Sequence, residues 1–285
     1  MAELDELFGE EKNTEYKPFD KDEWIKQKQE NRSVAFEMID RAASELTDVS
    51  KLNVFLDVQS KFNRYSVSNA LLVTEQNPNA TRLRDSNQWK QHRAFIKKGE
   101  KGIIILEPGE EFTREDGTTG VSYNTKKVFD VSQTNAKPKE YHKKPIDFKK
   151  LIKALIKNSP VPVNISNDIP YGLDAFYNPE RKAILVRQGM NGDDIFRALS
   201  YEISMARSDK GDYSRKANMV EAYCVSYILC KRNNIEPPPA DVGLKPFSGK
   251  ETKDIRSALG KVRDEANNIS SVIERALEPK NRDAR

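Results

Sequence analysis

The sequence predicts an α+β protein, and three patterns carry that prediction. Long stretches near both ends repeat apolar residues at three- and four-residue steps, the period of an amphipathic helix. Short runs rich in β-branched residues, Ile103–Ile105 and Ala183–Val186 among them, lie between those stretches. A polar segment with two prolines, residues 135–146 (NAKPKEYHKKPI), has no period and divides the chain into two parts.

Residues 1–20 are acidic and broken by Gly9 and Pro18, and read as a flexible arm with a small apolar knot at Leu4, Leu7 and Phe8. From Lys21 the pattern is helical: Trp24, Val34, Ala35, Met38, Ile39, Ala42 and Leu46 recur on one face. Leu52, Phe55, Leu56, Val58 and Phe62 predict a second helix. A third starts at Ser66, an N-cap residue, and stops at Asn77-Pro78. Gly102 to Glu107 predicts a strand, and Phe112, Asp116-Gly117, Val121 and Tyr123 a hairpin with an Asp-Gly turn. Lys126 to Val131 predicts the next strand.

Past the linker, Asp147 to Asn158 predicts a helix with Phe148, Leu151, Ile152, Leu155 and Ile156 on one face and lysines on the other. Val161–Ile165, Ala175–Tyr177 and Ala183–Val186 predict short strands, the last two around an Asn-Pro turn. Helices follow from Asp193 or Asp194 and from Ser214 to Asn233. Pro237–Pro239 forbids a helix. Residues 250–277 predict a last helix with a nearly heptad stripe, suited to packing on its own domain or pairing with another chain. The predicted organisation is an acidic arm (1–20), a first domain (21–134), a linker (135–146), a second domain (147–240) and a C-terminal extension with one helix (241–285).

The net charge is only +4 over 285 residues, but it is unevenly spread. Residues 1–23 hold nine acids and three lysines, and residues 137–157 hold eight lysines and two acids. That asymmetry suits a protein that handles nucleic acid. The two cysteines, Cys224 and Cys230, read as buried thiols in a reducing compartment. With no apolar run of membrane-spanning length and no leader, a cytoplasmic location is expected.

The stretch from Asn77 to Thr134 carries the functional signal. Arg82, Arg84, Lys90, Arg93, Lys97, Lys98 and Lys101 set seven cations against Asp85 and Glu100, while Trp89, His92, Phe95 and Phe129 offer flat faces. Single-stranded nucleic acid needs cations for its phosphates and faces for its unpaired bases. Gly99 and Gly102 would let the backbone approach a ligand, or serve an unliganded tight turn. Composition alone fits two readings equally: a binding face, or a core containing Trp89 and Phe129 inside a rim of solvated lysines.

The same stretch resembles a known family. NPNAT (77–81), Trp89, KKGEKGIIILEP (97–108) and VFDVSQT (128–134), in that order, are similar to the N-terminal domain of ArdC-type antirestriction proteins and of the related LtrC-like proteins of Gram-positive conjugative elements. The resemblance covers roughly Trp24 to Thr134. It implies a domain that binds single-stranded DNA, with Tyr65, Asn69, Arg82, Trp89, Arg93, Lys97, Lys98, Lys101 and Phe129 as the candidate contacts.

The second domain resembles the zincin-like C-terminal domain of that family, in which a helix carries H-E-x-x-H and binds zinc. In this sequence the motif reads Tyr201-Glu202-Ile203-Ser204-Met205: the general-base position keeps its glutamate and both histidine positions are lost. The third ligand would fall at Tyr223, with Glu221 as its neighbour. A phenol and a thioether are poor zinc ligands, and the chain's two histidines, His92 and His142, lie elsewhere. The degenerate set Tyr201, Glu202, Met205, Glu221 and Tyr223 therefore predicts a pseudoenzyme with no metal and no cofactor.

The expected function is non-specific single-stranded DNA binding for a mobile, conjugative plasmid-like element, in an antirestriction or DNA-transfer role. Conjugation or restriction-system proteins are the further partners implied. The alternatives are a divergent metallopeptidase with a DNA-docking domain and an interaction adaptor of the conjugation machinery; for the second domain, a carboxylate site in which Glu202 and Glu221 hold some other ion is the competing view.

Overall fold

The computed structural model describes residues 20–137, 145–240 and 244–278. The acidic arm up to residue 19, with its Leu4, Leu7 and Phe8, and His142 lie outside the described residues. The fold is α+β, as predicted.

Helices α1 (Lys21–Glu45), α2 (Val49–Lys61) and α3 (Val67–Gln76) follow the predicted periods. Each opens on a side-chain cap. Asp20 accepts from the Asp22 and Glu23 N–H groups, Asp48 from Ser50 and Lys51, and Ser66 from Asn69. A three-stranded antiparallel sheet follows, ordered β1-β3-β2, from β1 (Leu83–Arg84), β2 (Ile103–Thr113) and β3 (Thr119–Asp130). Strands β2 and β3 form one long hairpin turned at Asp116-Gly117, where Gly117 has φ 79°. The sequence breaks β3 into two pieces, whereas the structure runs it through. A register shift between Pro108 and Glu111 accommodates the proline, which cannot donate to the ladder.

The short helix α4 (Ser86–Gln91) is absent from the sequence reading. Its one buried residue, Trp89, gives no period to detect. Its signature is a capping box, in which Asp85 accepts from the Gln88 N–H and the Gln88 side chain accepts from the Asp85 N–H.

Helix α5 (Phe148–Asn158) is capped by Asp147. Strand β6 (Ala183–Val186) is central to a second sheet, parallel to β4 (Val163–Ile165) and antiparallel to β5 (Ala175–Asn178). Helix α6 (Gly192–Ser208) starts after an Asn191 cap, α7 (Arg215–Arg232) after Ser214, and α8 spans Thr252–Leu277.

One apolar core runs from α1–α3 through α5–α8. Polar bonds cross the same junction: the hydroxyls of Tyr223 and Tyr227 donate to Asn53 and Asp57, and Asn267 donates to the Asn63 carbonyl. Cys224 and Cys230 are free, buried thiols, and burial pushes both upward, Cys230 to about 12. Among the described residues, no helix is long and apolar enough to cross a membrane.

Candidate nucleic-acid interface and the Glu202 cleft

The basic stretch is organised by a buried carboxylate. Asp130, 2% exposed at the end of β3, accepts from the Thr81 N–H at 2.7 Å, the Arg82 N–H at 2.8 Å, the Ser132 N–H at 2.9 Å and the Ser132 hydroxyl at 2.7 Å. Burial raises its pKa, but the hydrogen bonds from Arg82, Ser132 and Thr81 outweigh it and hold the carboxyl below its usual range. Gln133, in the 3-10 turn Val131–Gln133, donates to the Lys101 carbonyl and to Glu100. The turn entering β2 is thereby fixed against the end of β3.

The predicted contact residues separate into groups on this frame. Trp89 is 2% exposed, and its indole N–H donates to the Phe129 carbonyl at 2.9 Å. It packs with Ala94 and Val131, with the Arg82 and Arg84 guanidinium carbons 5.7 and 5.4 Å from its ring centre. Trp89 therefore does not offer a face to bases; it is the centre of a small core beneath two arginines. Phe129 is half-buried beside it, and its ring passes so close to Gly102 that a Cβ there would lie 3.0 Å from Phe129 Cζ. Gly102 makes room for Phe129 and the Lys127 side chain, while Gly99 supplies a positive φ of 88° at the turn.

Asn69 is also committed internally. Its side-chain amide donates to the Leu106 carbonyl and accepts from the Leu106 N–H, both at 2.8 Å. Tyr65 stacks on Phe62 with centroids 5.3 Å apart, and burial raises its hydroxyl pKa against the pull of Lys126.

Exposed cations remain. Arg93, Lys98 and Lys101 point outward, and Lys97 is exposed although its ammonium donates to the Ser132 carbonyl at 2.8 Å. Among them stands Phe95, 60% exposed. Its backbone is held rigidly: its N–H donates to Asn135 Oδ1 at 2.8 Å, and its carbonyl accepts from the Asn135 N–H at 3.0 Å. Ile96 bridges to Thr134, and the Lys97 N–H donates to the Gln133 carbonyl. The sequence offers Phe95 as one flat face among four. Residues 94 and 95 lie outside any strand, so no local pattern in the sequence marks that Phe95, rather than Trp89, faces out.

In the second half, Tyr201, Glu202 and Tyr223 line a cleft of about 530 Å³ beside Ala175, Arg215 and Pro239. Met205 is fully buried in the core, and Glu221 does not line the cleft. Glu202, 2% exposed, accepts from the Tyr177 N–H at 2.7 Å and from both terminal nitrogens of Arg215 at 2.9 and 2.6 Å. The donor set does not fit zinc: one carboxylate already engaged, a phenol and a thioether. Among the described residues, no group of three or more His, Cys, Asp or Glu side chains is placed to hold a metal.

Comparisons with known proteins bear on the first domain and on the fold. A family model described as the N-terminal domain of anti-restriction factor ArdC matches residues 28–153, extending into α5. The fold is similar to the metal-free crystal structure of the antirestriction ArdC protein from the R388 plasmid, with a TM-score of 0.52 and 18% identity, covering 74% of this chain and 85% of that one. The Mn(II)-bound structure of the R388 protein gives a TM-score of 0.49 at 18% identity, covering 74% of this chain and 88% of that one. No curated protein matches the sequence.

Proposed function

We propose that this chain, whose residues 28–153 match the N-terminal domain of anti-restriction factor ArdC, binds single-stranded DNA non-specifically through the face around Phe95. The observation that carries this reading is a 60%-exposed aromatic on a rigidly bonded loop, flanked in sequence by Arg93, Lys97 and Lys98. A ring held in place stacks on an unpaired base without further ordering cost, and the cations track the backbone. Trp89 and Phe129 pack with Ala94, the residue before Phe95, and position the face, with Arg82 over the Trp89 ring; Asn69 and Tyr65 belong to the main core and its contact with β2. The role that follows is antirestriction or DNA-transfer support for a conjugative plasmid-like element in the cytoplasm. Restriction or conjugation proteins would be its further partners. Residues 21–134 form the binding part, and residues 147–285 form a non-hydrolytic platform packed against it.

The test is anisotropy of labelled oligothymidylate and of a duplex over a salt series. The wild type should prefer the single strand, with affinity falling linearly in logarithmic plots by about 0.7 per phosphate neutralised. Lys98→Glu/Lys101→Glu should weaken binding and flatten that slope. Absence of binding at low salt, or equal affinity for the duplex, contradicts the reading.

A further inference from the structure

Glu202 alone keeps the residue type of the lapsed zinc motif, and it is buried. A buried carboxylate without a cation is strongly destabilising. In H-E-x-x-H sites the nearby cation is the metal. Here the cation arrives from the first residue of α7, as Arg215 grips both Glu202 oxygens at 2.6 and 2.9 Å. Its guanidinium carbon lies 5.4 Å from the Phe176 ring centre and 5.7 Å from that of Tyr201. Tyr201 occupies the first lost histidine position, so a cation–π contact stands where a coordination bond would be.

Two further facts point the same way. A cation in the first turn of a helix opposes the helix dipole, so an arginine there needs a compensating anion, and Glu202 provides it. Glu202 also accepts the Tyr177 N–H from β5, an edge strand of its sheet, so the pair ties α7, α6 and β5 together.

We infer that Arg215 is the resident cation of this site, an internal replacement for the metal charge. The site is assembled without a divalent ion, and Glu202 has no oxygen left uncommitted to offer one. This is a property of this chain's own residues and does not depend on the DNA-binding reading.

The test uses the full-length protein, with elemental analysis and thermal unfolding in chelator, zinc or manganese. Purified protein should carry no stoichiometric metal, and neither chelator nor added metal should shift Tm. Arg215→Met should lower Tm by about 5 °C or more by leaving the carboxylate unpaired. Glu202→Gln in that background should recover part of the loss, which a purely steric role for Arg215 would not produce. Arg215→Lys, which keeps the charge without the fork, should fall between wild type and Arg215→Met. Stoichiometric metal, a chelator-induced drop in Tm of several degrees, or an Arg215→Met variant as stable as wild type would each overturn the inference.

Discussion

Asp130 and Trp89 show how much of the basic stretch is scaffold. Asp130 answers four donors from three residues, so Asp130→Asn, which puts a donor where only acceptors fit, should cost about 1–3 kcal/mol in urea unfolding. Trp89→Phe should lose the bond to the Phe129 carbonyl and leave a small void, about 1–3 kcal/mol, whereas Trp89→Ala should open a larger cavity and collapse the corner. Asp209 gives the pH dependence. Hydrogen bonds from Lys182, Tyr177 and the Gly211 N–H hold its carboxyl down to about 2. A depressed carboxylate contributes stability that is complete above its unfolded pKa of about 4 and lost as pH falls towards 2. Asp209→Asn should therefore flatten the fall in Tm across that window, and an unchanged acid profile would exclude Asp209 as its source. The sequence could mark Trp89, Asn69 and Phe95 as polar or flat side chains. It could not say which faced inward, because those assignments depend on pairings some 40 residues apart, such as Phe95 with Asn135.

At the level of elements, α3 completes the sheet by an unusual route. Asn69 and Gln76, seven residues apart, stand on one helix face. Ile104 and Leu106, two apart, turn their backbone groups to one edge of β2. Gln76 donates to the Ile104 carbonyl at 2.9 Å and accepts its N–H at 2.8 Å, as Asn69 does with Leu106. Two amides thus take the place of a neighbouring strand and cover an edge that would otherwise invite pairing. Gln76→Leu should cost about 2 kcal/mol and speed amide exchange at Ile104, leaving Leu106 less affected. The helices were legible because 3.6-residue periods and caps are local signals. The amide clamp, α4 and the unbroken β3 were not, because each is settled by contacts distant in sequence.

Across the whole molecule, α8 is part of the common core. Ile255, Leu259, Val262, Ala266, Ile269 and Ile273 are buried, and α8 packs on α5, α7, α1 and α3. Truncation after residue 240 should leave an insoluble or molten protein, seen as lost near-ultraviolet circular dichroism; a soluble, cooperatively unfolding fragment would contradict this. The composition shift at residues 135–146 made a boundary readable, but the core contacts that cross between the halves leave no trace in sequence. Stacking of an unpaired base on Phe95 is tested by the anisotropy of labelled oligothymidylate with Phe95→Ala. Loss of one stack should weaken single-strand binding about 5- to 150-fold with the salt slope unchanged, since the slope counts phosphates. Affinity equal to wild type, or a changed slope with no loss of single-strand preference, would contradict it.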